Sequence, residues 1–210
     1  MRLVVNGSFN CPCNFLPSRR VDRLIDFGAA EVEWRAVVHD PDVPVGGLQI
    51  TDELAMMFDC EFEAFRGLLC ADDPYPSGRP IEQPNKTLAV AAYATTTGGN
   101  ADRMRAAIFD TSWIEGRYIG DQTVLRDLNC PTQTPGDTMH RRRETWLAFE
   151  RLTIPMMVLP DGTVSQGLGS RIPGPVIGGR SPDRRLGGFR PSMAGNLTGR
   201  SESISGPGPW

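Results

Sequence analysis

Apolar positions in the first part of the chain follow two spacings, one typical of strands and one typical of helices. A short apolar run predicts a strand over residues 2–6, and helical spacing predicts a helix over residues 13–28. Pro17 is expected to kink this helix or shift its start, and Gly28 suits its C-terminal end. Alternation of polar and apolar residues over 31–37 predicts a second, half-buried strand. The order strand, helix, strand indicates a right-handed parallel crossover.

A block of predicted helices follows. The clearest covers residues 51–70, where apolar residues recur every three or four positions and Thr51 suits the N-cap. Its aromatic residues at 58, 62 and 65 are expected in the core. Prolines and a glycine make residues 72–83 a predicted loop. Shorter helical patterns cover residues 85–95, 100–109, 120–128 and 138–150.

The pattern changes again toward the end of the chain. The apolar run 152–159 is interrupted by Pro155, and turn residues at 160–163 predict a hairpin. A proline at the start of a strand lies on an edge or marks a cis peptide bond. Residues 171–210 hold nine glycines and six prolines, which predicts a mostly disordered tail, or alternatively an ordered arm that wraps a partner.

Composition narrows the class of protein. The chain has 210 residues and 40% hydrophobic content, which suffices for one domain with a real core. A net charge of -3 argues against nucleic acid as a partner. No apolar stretch reaches the roughly 18 residues that a membrane span needs, so we expect a cytoplasmic protein that binds no membrane. Lys86 is the only lysine, which we interpret as a coding bias toward arginine.

The cysteines supply the candidate chemistry. Five cysteines without a secretion signal argue against a structural disulfide framework, and Cys60, Cys70 and Cys130 are expected to be packing residues. Cys11 and Cys13 flank a proline where the first strand leads into the first helix. Backbone N–H groups and the helix dipole at such a start favour a thiolate, although two ordinary buried cysteines remain the alternative.

Other kinds of site find little support in the sequence. His39 and His140 are the only histidines, and Cys11 and Cys13 are closer together than the usual pair of zinc ligands, so we expect no metal. The chain has no Gly-x-Ser-x-Gly sequence of a hydrolase and no glycine-rich phosphate loop after a strand.

Three stretches of the chain resemble the DsbA-like branch of the thioredoxin superfamily. Residues 11–16, Cys-Pro-Cys-Asn-Phe-Leu, resemble the family's Cys-Pro-x-Cys-Tyr-Leu at the start of the first helix. Residues 84–89 and 105–121 resemble parts of the family's inserted helical domain. Thr153-Ile154-Pro155 resembles the loop whose cis-proline faces the active-site thiol.

The resemblance implies an α/β, thioredoxin-like fold with an inserted all-helical subdomain. Residues 1–50 and 137–168 would form the two thioredoxin-like parts, 51–136 the insertion, and 169–210 a tail after the last strand. The helix that normally ends the family's fold would then be absent or replaced.

The resemblance also implies a function, with alternatives. In the first, the chain is a thiol–disulfide oxidoreductase: Cys11 attacks a disulfide on a protein or small molecule, and Cys13 or an external thiol resolves the mixed disulfide. Asn14 stands where the family has its second cysteine. Pro12, Asn14, Ile154 and Pro155 would then bind the substrate.

Two other functions of this branch stay open. One is a glutathione-dependent isomerase of the 2-hydroxychromene-2-carboxylate type, in which glutathione or another small thiol is the cofactor; the oxidoreductase needs none. The other is a non-catalytic binding domain. With any of the three functions, the chain could be a homodimer.

Overall fold

A four-stranded mixed sheet forms the frame of the computed structural model. The structure describes residues 1–69, 73–76, 82–96, 99–130, 136–149 and 153–167. Its elements are, in chain order, β1 (Arg2–Gly7), α1 (Pro12–Asp26), β2 (Glu31–Ala36), β3 (Leu48–Gln49), α2 (Asp52–Arg66), β4 (Glu82–Gln83), α3 (Thr87–Ala94), α4 (Gly99–Trp113), α5 (Gln122–Asp127), α6 (Asp137–Leu147), β5 (Met156–Val158) and β6 (Val164–Gln166).

The strands run in the spatial order β2-β1-β5-β6. β1 and β2 are parallel, in a register that pairs Arg2 with Glu31 and Gly7 with Ala36, which confirms the predicted parallel pairing. β5 is antiparallel to both β1 and β6, and the predicted hairpin at 160–163 connects β5 to β6. Through this order the carboxyl ends of β1 and β2 share an edge of the sheet with the start of β5.

The residues at the two ends of α1 account for where the helix begins and ends. Cys11 is its N-cap, and Pro12 fills the first helical position, where a missing N–H group costs nothing. The helix continues through Pro17. It ends at a left-handed Gly28, whose N–H donates to the carbonyl of Ile25 at 2.9 Å.

The second helix confirms the pattern of its large apolar residues. The Thr51 side chain accepts a hydrogen bond from the backbone N–H of Leu54 at 3.3 Å, as expected for an N-cap. Phe58, Phe62 and Phe65 are all buried. They pack in the main core with the buried side chains of α1, α3 and α4 and with Leu3, Val5 and Trp34 of the sheet. A smaller cluster joins Val37 and Met156 to Trp146 of α6.

Some sequence predictions need correction. The predicted loop 72–83 contains β4, which pairs antiparallel with β3 to form a second, two-stranded sheet. The helix predicted over 100–109 continues to Trp113. Cys60 was expected to pack in the core but is exposed on α2, whereas Cys130 is buried as expected.

Other predictions concern parts of the chain that these ranges do not cover. Cys70 and the tail 171–210 lie outside the described residues, and the boundaries assigned to the domains stay a prediction. Among the described helices, none combines the length and the apolar composition needed to cross a membrane.

Gly7, at the end of β1, provides a test of the packing beneath α1. A methyl group at this position would overlap the Trp34 ring and the Asn14 side-chain oxygen. We expect Gly7→Ala to lower the free energy of unfolding by about 1–3 kcal/mol, measured by urea denaturation. Gly46→Ala is the control, because a methyl group at Gly46 meets no atom within 4 Å, and it should be nearly neutral. Equal stability of the two variants would contradict this view of the packing.

Candidate functional site

Cys11 lies where α1 opens. Its backbone is extended, with φ −113° and ψ 121°, and its carbonyl accepts a hydrogen bond from Asn14 N–H at 3.0 Å. The side chain makes no capping hydrogen bond. Cys11 thus occupies the start of α1, where the helix dipole is positive and unpaired backbone N–H groups favour a nearby anion.

The loop before Cys11 is held by buried contacts. The carbonyl of Phe9 accepts a hydrogen bond from Trp113 Nε1 at 2.8 Å. The Phe9 ring is fully buried and meets Tyr93 and Phe109 edge to face. These contacts with α3 and α4 fix the path of the chain into the site.

Cys11, Cys13 and Glu61 form one cluster. The two sulfur atoms and a carboxylate oxygen of Glu61 all lie within 4.8 Å of one another. Both cysteines are free thiols and are buried, and Glu61 is half-buried on α2. The sequence prediction placed Cys11 and Cys13 together and missed the carboxylate.

Cys13 is held in its protonated form. A hydrogen bond from the Cys13 thiol to Cys11 raises the pKa of Cys13, and burial and the charges of Cys11 and Glu61 raise it further. Burial also raises the pKa of Glu61, against the hydrogen bond from Cys13, which lowers it.

Lys86 is a buried cation that senses the charge of Cys11. It is 2% exposed, and its ammonium group donates to Asn10 Oδ1 at 2.7 Å and to His39 Nδ1 at 3.0 Å. Its third partner is the carboxylate of Asp40, in a close ion pair. Ser8 Oγ also donates to Asn10 Oδ1, at 2.8 Å. All three N–H bonds of the ammonium thus have an acceptor.

The charges of this group depend on one another. Burial lowers the pKa of Lys86, and the negative charge of Cys11 acts in the opposite direction. The close ion pair with Asp40 favours the ammonium form. Burial and the charge of Lys86 lower the pKa of His39 to about 3, so His39 is neutral and accepts from Lys86. The positive charge of Lys86 is therefore held by the carboxylate of Asp40.

The loop before β5 reaches the same edge of the sheet. Met156 pairs with Asn6 near the end of β1, which places Pro155 beside Gly7 and the chain that leads to Cys11. The Ile154–Pro155 peptide bond is cis, where the resemblance places such a bond. The Pro155 carbonyl accepts from Gly167 N–H at 2.8 Å. Ile154 is half-buried.

The other two predicted substrate-binding residues lie below the surface. Pro12 is buried, and Asn14 is fully buried. Neither polar atom of the Asn14 side chain has a hydrogen-bond partner among the described residues. The residue that stands where DsbA-like proteins have their second cysteine is therefore a buried amide.

The Cys11, Cys13 and Glu61 cluster is also a potential metal-ligand set. Two sulfurs and one carboxylate supply three of the four ligands that a tetrahedral ion takes. The ammonium of Lys86 beside Cys11 opposes a cation there, since like charges repel.

Lys86, His39, Asp40 and Glu61 were not predicted as site residues. His39 was considered only as a metal ligand, and the single lysine only as a coding bias. One signal was present: a chain that uses arginine everywhere else keeps one lysine, in the first turn of a predicted helix. Glu61 lies three residues after Phe58 and four before Phe65, so it interrupts an apolar face of α2.

Solved structures resemble this fold, although no protein-family model and no curated protein sequence matches the chain. A 2-hydroxychromene-2-carboxylate isomerase superposes with a TM-score of 0.58 and 13% identity, over 80% of this chain and 89% of that one. A probable DsbA oxidoreductase from Streptomyces coelicolor gives 0.58 and 15%, over 80% and 84%. The cytosolic disulfide reductase DsbM from Pseudomonas aeruginosa gives 0.51 and 13%, over 79% and 88%.

These similarities establish the architecture of the chain. The predicted α/β, thioredoxin-like fold class is confirmed, and so is the resemblance to DsbA-like proteins. At identities of 13–15% the reaction has to be argued from the chemistry of the site.

His39 gives the site a signature in the pH dependence of stability. Its pKa of about 3 in the folded protein lies below the ordinary value of 6.5, so between these values the unfolded chain binds more protons. The stabilisation is complete above pH 6.5 and is lost as the pH falls toward 3. For the wild type we expect a loss of about 1–2 kcal/mol from this residue between pH 7 and pH 5.

His39→Asn isolates this effect, because the amide oxygen still accepts from Lys86 and cannot be protonated. The variant should lose about 1–2 kcal/mol less than the wild type between pH 7 and pH 5, measured by urea denaturation. His140→Asn, an exposed position on α6, should behave as the wild type. Equal losses in His39→Asn and the wild type would contradict the assignment.

Proposed function

We propose that this chain is a thiol–disulfide oxidoreductase in which Cys11 attacks as a thiolate. The observation that carries the proposal is the placement of Cys11 at the start of α1, together with a protonated thiol and a buried ammonium group that both interact with it. Each of these three neighbours stabilises negative charge on the same sulfur atom. A thiolate is the reactive form in disulfide exchange.

The chemical step follows from this arrangement. The Cys11 thiolate attacks one sulfur of a substrate disulfide, a new S–S bond forms, and the old one breaks. The departing sulfur leaves as a thiolate and takes a proton from solvent. The product is a mixed disulfide between Cys11 and the substrate, which is a disulfide-bearing protein or small molecule.

The substrate would lie along the loop that precedes β5. The half-buried Ile154 and the cis-Pro155 border the edge of the sheet where Cys11 lies. We infer that backbone groups of Ile154 pair with the substrate chain, while Pro12 and Asn14 support the site from below. Glutathione as a resolving thiol stays a prediction, as do the homodimer and the cytoplasmic location.

Loss of the proposed nucleophile should abolish activity. We expect Cys11→Ser to reduce the rate at which the protein catalyses insulin reduction by dithiothreitol by at least about a hundredfold. Cys60→Ser removes an exposed thiol elsewhere and should keep the wild-type rate. An undiminished rate in Cys11→Ser would favour a binding domain without this chemistry.

Lys86 should tune the reactivity of Cys11. Lys86→Met keeps the length of the buried side chain and removes its charge, so the thiolate at Cys11 loses a neighbouring cation. We expect alkylation of Cys11 by iodoacetamide at pH 7 to slow by about tenfold, followed by mass spectrometry. Cys60 in the same molecule is the internal reference, and its rate should not change. Equal slowing at both cysteines would point to a general structural effect.

A further inference from the structure

Glu61 lies on the apolar side of its helix. Helical spacing places it with Phe58, Phe62 and Phe65, whereas Glu63, two residues further on, is exposed and pairs with Arg66 at 2.7 Å. Burying a charged carboxylate costs free energy unless it is hydrogen-bonded or paired with an opposite charge. The sulfurs of Cys11 and Cys13 lie within 4.8 Å of its carboxylate.

Within the part of the chain that the structure describes, no ion pair accounts for the position of Glu61. None of the ion pairs among the described residues includes it, and its described hydrogen bond is with the Cys13 thiol. The Cys13 sulfur thus has two groups within 4.8 Å that raise its pKa, the sulfur of Cys11 and the carboxylate of Glu61.

The proposed reaction removes one of these two groups as a hydrogen-bond acceptor. In the mixed disulfide, Cys11 is bonded to the substrate sulfur and no longer carries negative charge. The hydrogen bond from Cys13 to a Cys11 thiolate then disappears, and Glu61 remains as the acceptor. Lys86 cannot serve, because its three N–H bonds are directed to Asn10, His39 and Asp40, and Asn14 has no basic group.

We propose that Glu61 is the catalytic base that takes the proton of Cys13, so that Cys13 resolves the mixed disulfide on Cys11. This inference rests on the proposed function and deepens it. The Cys13 thiolate attacks the Cys11 sulfur, the Cys11–Cys13 bond forms, and the bond between Cys11 and the substrate breaks. The second substrate sulfur leaves as a thiolate and accepts the proton from Glu61. Two protein thiols are oxidised to a disulfide, and the substrate disulfide is reduced to two thiols.

The two steps can be followed separately with 5,5′-dithiobis(2-nitrobenzoate) as the disulfide. After acid quenching and blocking of free thiols, tryptic cleavage at Arg2 and Arg19 yields one peptide, residues 3–19, that contains Cys11 and Cys13 and no other cysteine. Mass spectrometry of this peptide distinguishes the thionitrobenzoate adduct from the internal disulfide. The wild type should form the adduct rapidly and convert it to the disulfide.

The Glu61→Gln variant tests the assignment. It should form the adduct within about twofold of the wild-type rate, while conversion to the disulfide slows by at least about tenfold and the adduct accumulates. Glu61→Asp keeps the acid on a shorter side chain and should give an intermediate conversion rate. Glu63→Gln, an exposed change on the same helix, should leave both rates unchanged. A loss of folding would affect both steps, whereas loss of the base affects only the second.

The outcomes separate the two proposals. Rapid adduct formation with equal conversion in Glu61→Gln and the wild type would overturn the role of Glu61, as would an adduct that never converts in the wild type. Adduct formation in the wild type no faster than at Cys60 would overturn the oxidoreductase function itself.

Discussion

The buried ammonium group of Lys86 connects the edge of the sheet to the helices beside it through hydrogen bonds and an ion pair. An ammonium in the interior is costly unless its donors are satisfied, and Lys86 finds three acceptors. Asn10 comes from the loop after β1, His39 and Asp40 follow β2, and Lys86 itself immediately precedes α3. The network therefore joins three separate segments, and the residue after Asn10 is Cys11. The network therefore holds the residue that directly precedes the candidate thiol.

Cys11 has two kinds of neighbour. One is the buried Lys86, on whose pKa the charge of Cys11 acts. The other is the pair of Cys13 and Glu61, whose sulfur and carboxylate lie within 4.8 Å of the Cys11 sulfur. In DsbA-like proteins the family pattern places the second thiol at the position of Asn14, which in this chain is a buried amide. The structure instead places the thiol of Cys13 near Cys11 and within 4.8 Å of an acid from α2.

Local patterns in the sequence predicted the elements whose residues repeat regularly. The alternation of β2 and the aromatic stripe of α2 were sufficient, because each pattern reports which face is buried. β3 and β4 are two residues long and carry no such period, so they were missed. The cysteine pair at the start of α1 was also predicted, since a strand-to-helix junction is a local feature.

The rest of the site depends on contacts between distant parts of the chain. Lys86 and Asn10 are 76 positions apart, and neither is marked by its neighbours in sequence. Glu61 was hidden for a different reason: one acid on an apolar stripe does not alter the helical period that predicts the helix.

The burial of Lys86 has one more consequence, for the chemistry available on the surface of the protein. Because the chain has a single lysine and its amine is 2% exposed, acylating reagents, aldehydes and isopeptide-forming enzymes find no accessible lysine side chain on the folded protein. The remaining basic side chains are guanidinium or imidazole groups. These groups do not readily form the adducts that a lysine amine forms.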